Sequence, residues 1–225
     1  MTRRNRYERA FEALLRSERV PYIAVDEAKR ALLPAKPRLE YTAEGEAGAT
    51  RLKSFDFVVY GPQRHLLVEI KGRKIPAGPA RKDGTPRRPT LQTWATRDDV
   101  TGLRTWERLF GRPFDAVLVF VYWCDAMPPD GLFERIFMHN GAWFSMRGVL
   151  VRDYAASMRT RSPKWGTVDL PAGVFDRISR PVPAGWDGWL EPDRLLEGES
   201  EGEPEDEADP GGSEGLLAAP APGVR

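Results

Sequence analysis

Three charged side chains in two neighbouring apolar segments are spaced so that they could act together. Asp56 lies in the segment 54–60, whereas Glu69 and Lys71 close the segment 65–71. Side chains alternate between the two faces of a β-strand, so Glu69 and Lys71 are expected on one face. The turn between the segments begins with Gly-Pro and folds Asp56 back beside Glu69. Two carboxylates at such close range are poorly tolerated without a cation between them, and Mg²⁺, with Mn²⁺ as the alternative, is the natural candidate.

A carboxylate two residues before a lysine is a weak signal by itself, because the pattern also arises by chance. It occurs a second time at Glu27-Ala28-Lys29. That copy follows a short strand expected over 22–25 with no acidic strand before it, and we interpret it as a solvated turn. For Glu69, the alternative to a functional site is an ordinary ion pair at the end of a strand.

The charge is strongly divided along the chain, although the net charge is only +1. Residues 191–225 hold eleven acidic and two basic residues, which leaves 32 basic and 22 acidic residues in the rest of the chain. A basic body suits a polyanionic partner. The acidic tail is mixed with Gly, Ser and Pro, so it is expected to be disordered and either to act as a solvating linker or to mimic phosphate.

Length and composition favour one soluble domain over residues 1–190 with the tail over 191–225. A chain of 225 residues with 41% hydrophobic residues can bury a sizeable core. Its only cysteine, Cys124, excludes an intramolecular disulfide and a cysteine zinc cluster. No apolar run approaches the ~20 residues of a membrane span, and the start Met-Thr-Arg-Arg-Asn-Arg lacks the apolar stretch of a signal peptide. A cytoplasmic protein that binds no membrane is therefore expected.

Helical and strand periodicities alternate along the first half of the chain. Apolar side chains at helical spacing predict an α-helix over 3–19, with Glu8 at the rim of its buried stripe, from where the carboxylate could reach inward. After the paired segments, the spacing predicts a helix over 99–110 with Asp98 as its N-cap. The strand expected over 114–123 is apolar on both faces, which is typical of a central strand in a covered sheet.

An extension over residues 132–190 follows this core. Asn140-Gly141 has the composition of a type I′ turn and predicts a β-hairpin over 132–151. A short helix and an irregular basic stretch over 159–164 complete the predicted folded part.

The segment 72–91 lacks periodicity and is rich in basic side chains, with Asp83 as its only acid. Because it follows Lys71 directly, it is well placed to hold a phosphate backbone, and a merely solvated loop is the alternative. Its basic residues are Arg73, Lys74, Arg81, Lys82, Arg87 and Arg88. Gln92 and Trp94, just beyond it, are weaker candidates for contacts with the substrate.

The pattern as a whole resembles the PD-(D/E)XK nuclease superfamily. Its restriction-endonuclease-like α/β core consists of a helix, a three-strand meander, a second helix and a fourth strand, and residues 5–123 follow that order. The chain departs from the family pattern at Phe55, which replaces the proline before the aspartate, and it has no QxxxY motif. The resemblance covers about half of the chain.

This resemblance implies roles for the charged positions. It implies that Asp56, Glu69 and the carbonyl of Ile70 bind Mg²⁺, with the two carboxylates counted among the catalytic residues. Lys71 would assist the attacking water. Glu8, in its Glu-Arg pair, resembles the helical glutamate of the Holliday junction resolvase and RecB-like branches and would be a further ligand and catalytic residue.

The activity that the resemblance implies is Mg²⁺-dependent hydrolysis of DNA by an endonuclease in repair, recombination or defence. A carboxylate-bound Mg²⁺ can supply the nucleophile and the charge neutralisation that phosphodiester hydrolysis needs. The alternative is a non-catalytic nucleic-acid-binding module that kept the fold. Many such nucleases act as homodimers, but no self-complementary surface can be read from this sequence.

Overall fold

The computed structural model describes residues 3–26, 40–42, 50–76, 90–128, 133 and 135–182 of the chain. Helices in these ranges are Arg3–Ser17 (α1), Arg97–Phe110 (α2), Val151–Ser157 (α3) and Ala172–Ile178 (α4). The strands in chain order are Tyr22–Ala24 (β1), Glu40–Tyr41 (β2), Thr50–Arg51 (β3), Phe57–Tyr60 (β4), His65–Ile75 (β5), Ala95–Thr96 (β6), Phe114–Cys124 (β7), Phe137–His139 (β8), Ala142–Leu150 (β9), Arg159–Ser162 (β10), Thr167–Asp169 (β11) and Arg180–Pro181 (β12).

The central sheet is mixed and has the order β1-β4-β5-β7-β9-β12, with β8 added to β9. β1, β4 and β5 form an antiparallel meander. β5 and β7 run parallel over their full length, from His65 beside Phe114 to Ile75 beside Cys124. β7 is buried on both faces, as its continuous apolar sequence predicts. The protein is therefore a mixed α/β fold built around these two long strands.

The two faces of the sheet are covered by different helices. On one face, Phe11 and Leu15 of α1 pack with Val68 and Val119. On the other face, Val100 of α2 packs in a second apolar cluster with Leu118 and Phe120. Neighbouring residues of β7 thus divide between the two cores, which is the alternation that a strand imposes.

The strand ends differ from those expected. β4 begins at Phe57, so Asp56 stands just before the strand and not within it. β5 continues to Ile75, four residues beyond Lys71, so the segment predicted to be a loop from residue 72 starts as strand. Residues 77–89 lie outside the described residues, and the predictions for Arg81, Lys82, Arg87 and Arg88 lie there with them.

The N-cap of α2 is Thr96, which corrects the prediction of Asp98. Thr96 Oγ1 accepts a hydrogen bond from the backbone N–H of Asp99 at 3.1 Å, and the Asp99 carboxylate accepts from the N–H of Thr96 at 2.9 Å. This reciprocal capping box satisfies two donors that the first turn of a helix leaves unpaired. The helix ends at Phe110 and is followed by the C-cap Gly111, whose φ of 66° lies in the region that favours glycine.

The predicted hairpin at Asn140-Gly141 is confirmed, with positive φ values of 48° and 72° at the two turn residues. Residues 159–164 are not irregular as predicted, because β10 there pairs with β11 in a second sheet of order β10-β11-β6. A polar, exposed strand has no apolar alternation by which it could be recognised. None of the helices in the described ranges is long and apolar enough to cross a membrane.

The described residues all belong to one compact unit, residues 1–193, and residues 194–225 lie wholly outside the described residues. The predicted domain boundary at residue 190 and the predicted disorder of residues 191–225 also fall outside them.

Candidate active site

A cleft of about 590 Å³ opens beside the carboxyl-terminal half of β5. Its walls come from α1, β5, the start of α2, and the segments just before β4 and β6. Charged residues from these elements are brought together in its lining: Glu8, Lys53, Glu69, Lys71, Arg73, Lys74 and Asp99.

Four of these side chains form one ion-paired cluster. Lys71 Nζ donates to Glu69 Oε1 at 2.8 Å and to Asp99 Oδ2 at 2.7 Å. Lys53 Nζ lies 3.7 Å from Glu69 Oε1 and also pairs with Asp99 Oδ1. Glu69 and Asp99 are each only 3% exposed. Buried carboxylates persist only where their charge is matched, and the two lysines supply that match here.

Two opposing effects act on the ionisation of the Lys71 ammonium group. Burial lowers the pKa of Lys71 from its usual value, while the adjacent Glu69 carboxylate acts in the opposite direction. A partly desolvated ammonium with two fixed carboxylate partners is positioned with little rotational freedom. It is therefore a preorganised hydrogen-bond donor inside the cleft.

Asp56 stands just before β4, beside the part of β5 that continues past the start of β4. Its Oδ2 accepts a hydrogen bond from the backbone N–H of Ile70 at 2.7 Å. In an extended strand the N–H and C=O of one residue point to the same side, so the Ile70 carbonyl faces the side on which the Asp56 carboxylate lies. Asp56 is also close enough to Lys71 to influence its ionisation.

The oxygen donors Asp56, Glu69 and the Ile70 carbonyl fit a hard cation such as Mg²⁺, which is commonly held by one or two carboxylates and completes its shell with water. In the part of the chain that the structure describes, no three His, Cys, Asp or Glu side chains are grouped closely enough to hold a metal ion. Binding of a metal ion by Asp56, Glu69 and the Ile70 carbonyl, with Glu8 as a further ligand, stays a prediction.

Glu8 is half-buried and lines the cleft, which its neighbour Tyr7 explains. The Tyr7 ring lies against Gly72 so closely that a Cβ on Gly72 would overlap the ring. This contact packs α1 directly onto β5, one residue past Lys71. It places Glu8 among the residues that line the cleft, in the same lining as the four-residue cluster.

Arg73 is only 7% exposed, in contrast to the predicted contact with DNA. Its guanidinium donates to the Gly72 carbonyl at 2.8 Å and to the Trp94 carbonyl. It also lies 3.9 Å from the centre of the Trp94 ring. Burial lowers the pKa of Arg73 to about 10, so the group stays charged at neutral pH. This geometry favours a positioning role, in which Arg73 ties β5 to the segment before β6.

Lys74, Gln92 and Trp94 all line the cleft. Lys74 pairs with Asp125 at 2.8 Å and keeps 36% of its side chain exposed. Gln92 is exposed, and its carbonyl accepts a hydrogen bond from Tyr122 at 3.2 Å. The predicted contacts of these residues with DNA stay predictions.

Lys53 and Asp99 are not among the residues predicted from the sequence. Asp99 carries a signal that could have revealed it, since Thr96-x-x-Asp99 has the spacing of a capping box. Lys53 has none, because it lies outside any regular element. Both residues enter the site through contacts that only the tertiary fold creates.

No protein-family profile and no curated protein matches the chain. Among solved structures, the chain is similar to Hjc, a Holliday junction resolvase from the archaeal hyperthermophile Archaeoglobus fulgidus. The match has a TM-score of 0.43 and 16% sequence identity, and it covers 80% of this chain and 97% of Hjc.

Proposed function

We propose that this chain is a Mg²⁺-dependent endonuclease that hydrolyses phosphodiester bonds of DNA in repair, recombination or defence. The observation that supports it is that Asp56, Glu69 and Lys71 lie close together. They do so just beyond Phe57 and Val68, where the pairing of β4 with β5 ends. The Asp56 carboxylate accepts a hydrogen bond from the Ile70 backbone N–H at 2.7 Å, and Lys71 Nζ donates one to the Glu69 carboxylate at 2.8 Å.

Asp56, Glu69 and the Ile70 carbonyl would hold the metal ion. When bound, Mg²⁺ supplies a more acidic water and neutralises charge on the phosphoryl oxygens. The Nζ atom of Lys71 is placed to donate a hydrogen bond to the attacking water or to a phosphoryl oxygen. Lys53, whose side chain is 42% exposed, offers a second ammonium group at the mouth of the cleft for the phosphate backbone.

A cleavage screen tests this proposal. Purified protein is incubated with linear, nicked, branched and single-stranded DNA in Mg²⁺ or Mn²⁺. Asp56→Asn, Glu69→Gln and Lys71→Ala are each expected to lower the cleavage rate by about 100-fold or more while the circular dichroism spectrum stays native. Asp98→Asn, which changes an exposed carboxylate next to the cluster, serves as the matched control and should cleave normally. Unchanged cleavage by Lys71→Ala would contradict the proposed chemistry.

A second candidate is a non-catalytic nucleic-acid-binding module. The observation that favours it is that Lys53 and Lys71 already neutralise Glu69 and Asp99, so the cluster is stable as an ion-pair network without a cation. Calorimetric titration with Mg²⁺ or Mn²⁺ separates the two candidates. Metal binding that is lost in Asp56→Ala supports the nuclease, whereas DNA binding without metal binding supports the module.

A further inference from the structure

The tip of the β10–β11 hairpin exposes a tryptophan. Trp165 is 73% exposed, more than any other large apolar side chain that the structure describes. Burial of an indole ring would normally stabilise a fold, so one presented to solvent is available for a ligand. Trp165 has a planar face and follows Lys164, whose Nζ lies 5.7 Å from the ring centre.

The turn that carries Trp165 is held in a defined conformation. Gly166 N–H donates to the Pro163 carbonyl at 3.2 Å and has a φ of 56°, which favours glycine. The Gly166 carbonyl in turn accepts from the Arg97 N–H at 2.8 Å. The turn is thus anchored to the first residue of α2, and Trp165 is presented from a fixed base, which lowers the entropic cost of binding.

The surroundings of Trp165 are basic. Arg161 lies 5.4 Å from the centre of the Trp94 ring, and Lys164 lies over Trp165. Arg159 pairs with Asp169 at 2.9 Å, which leaves the charge of the hairpin positive. A positively charged hairpin whose turn carries an exposed aromatic ring has the chemistry of a surface for single-stranded nucleic acid.

The hairpin is built onto the wall of the cleft. Thr167 of β11 pairs with Thr96 of β6, and Thr96 itself lines the cleft. Trp94, which Arg161 covers, lines it as well. The hairpin is therefore continuous with the wall of the cleft through β6.

We propose that the hairpin Arg159–Asp169 binds single-stranded DNA, with an unpaired base stacked on Trp165 and phosphates contacted by Arg161 and Lys164. The inference rests on the proposed function in taking DNA as the substrate of the adjacent cleft. In a duplex the faces of the bases are already stacked on each other, so an exposed aromatic ring can stack only on an unpaired base. The hairpin would give the protein a preference for DNA that contains unpaired segments.

Fluorescence anisotropy with the full chain tests the inference. Affinities for a labelled single strand and for a duplex of the same length are measured in EDTA, so that no cleavage takes place. Trp165→Ala is expected to weaken single-strand binding by about 5- to 100-fold, as the loss of one stacking platform does, and to change duplex binding by less than about 2-fold. Trp165→Phe keeps a ring and should retain most of the affinity. Met138→Ala removes another exposed apolar side chain, 58% exposed on β8, and should change neither.

Single-strand affinity within about 2-fold of the wild type in Trp165→Ala would overturn the inference, as would an equal loss for single strand and duplex. Because the assay needs no metal and no turnover, its outcome is independent of catalysis. A chain that cleaves DNA but is insensitive to Trp165→Ala refutes only the hairpin. A chain that does not cleave but loses single-strand binding refutes only the nuclease.

Discussion

Replacement of Asp99 by alanine is expected to lower the free energy of unfolding by about 3 kcal/mol, a value that follows from the three contacts of its carboxylate. Loss of the acceptor for the Thr96 N–H, at 2.9 Å, costs about 1 kcal/mol, as for other helix caps. Lys71 loses a partner at 2.7 Å but keeps Glu69 at 2.8 Å, so the cost is about 1–2 kcal/mol, below that of a fully unpaired buried charge. Lys53 is 42% exposed and adds about 0.5 kcal/mol.

Urea unfolding followed by tryptophan fluorescence measures this loss, and the chain offers a neighbouring control. Asp98 precedes Asp99 on α2 but is exposed. Asp98→Ala should cost less than about 1 kcal/mol, since it loses only a favourable interaction with the helix dipole. Asp99→Asn keeps an oxygen that can accept from the Thr96 N–H but loses the charge. The fall in its free energy of unfolding therefore measures the contribution of the ion pairs with the two lysines.

Equal losses for the Asp98 and Asp99 variants would refute the reasoning, because they would show that burial and pairing with the lysines contribute nothing. A loss below about 1 kcal/mol in Asp99→Ala would likewise show that the cap and the cluster are not coupled through this carboxylate.

Three further outcomes follow from the structure. Gly72→Ala should destabilise the fold by about 2 kcal/mol in thermal unfolding, because the new methyl group overlaps a tyrosine ring, whereas Gly102→Ala within α2, with 3.4 Å to its nearest neighbour, should stabilise by about 0.5–1 kcal/mol. Arg73→Ala should cost about 2–4 kcal/mol in urea unfolding by removing two hydrogen bonds and a ring contact, whereas Lys74→Ala should cost less than about 1 kcal/mol. Burial raises the pKa of Cys124 to about 11, so its alkylation by iodoacetamide, followed by mass spectrometry, should be about 100-fold slower than in the unfolded chain at pH 8 and should accelerate as the pH rises.

A specific result would contradict each of these predictions. A native unfolding midpoint in the Gly72 variant would show that α1 does not rest on β5 at this point. Arg73→Ala with native stability and weakened DNA binding would restore Arg73 as a direct contact. Fast alkylation of Cys124 at neutral pH would show that the carboxyl end of β7 opens to solvent.

The central sheet could be predicted because its strands carry a strong local signal. Residues 114–124 are apolar on both faces, which is typical of a covered central strand. Asn140 and Gly141 tolerate positive φ, which the turn between β8 and β9 requires. In both cases the residues that determine the structure are adjacent in the chain. The same holds for the placement of Glu69 and Lys71 on one face.

The rest of the site could not be predicted, because it depends on contacts between distant residues. Asp99 reaches Lys71 only when α2 is laid against β5, and no periodicity reports that arrangement. Thr96 differs in this respect, because the capping-box spacing Thr96-x-x-Asp99 marks it as the N-cap in the sequence itself. β10 is polar and exposed, so its pairing with β11 leaves no hydrophobic pattern in the sequence.

One oxygen atom joins the charged cluster to the start of α2. Asp99 Oδ2 accepts both from Lys71 Nζ, at 2.7 Å, and from the Thr96 amide, at 2.9 Å. Any molecule that draws the lysine away changes the electron density available to that amide proton. The nitrogen-15 chemical shift and the solvent exchange rate of the Thr96 amide should therefore change when a ligand displaces Lys71 from Asp99. Nuclear magnetic resonance can measure both before any product is formed.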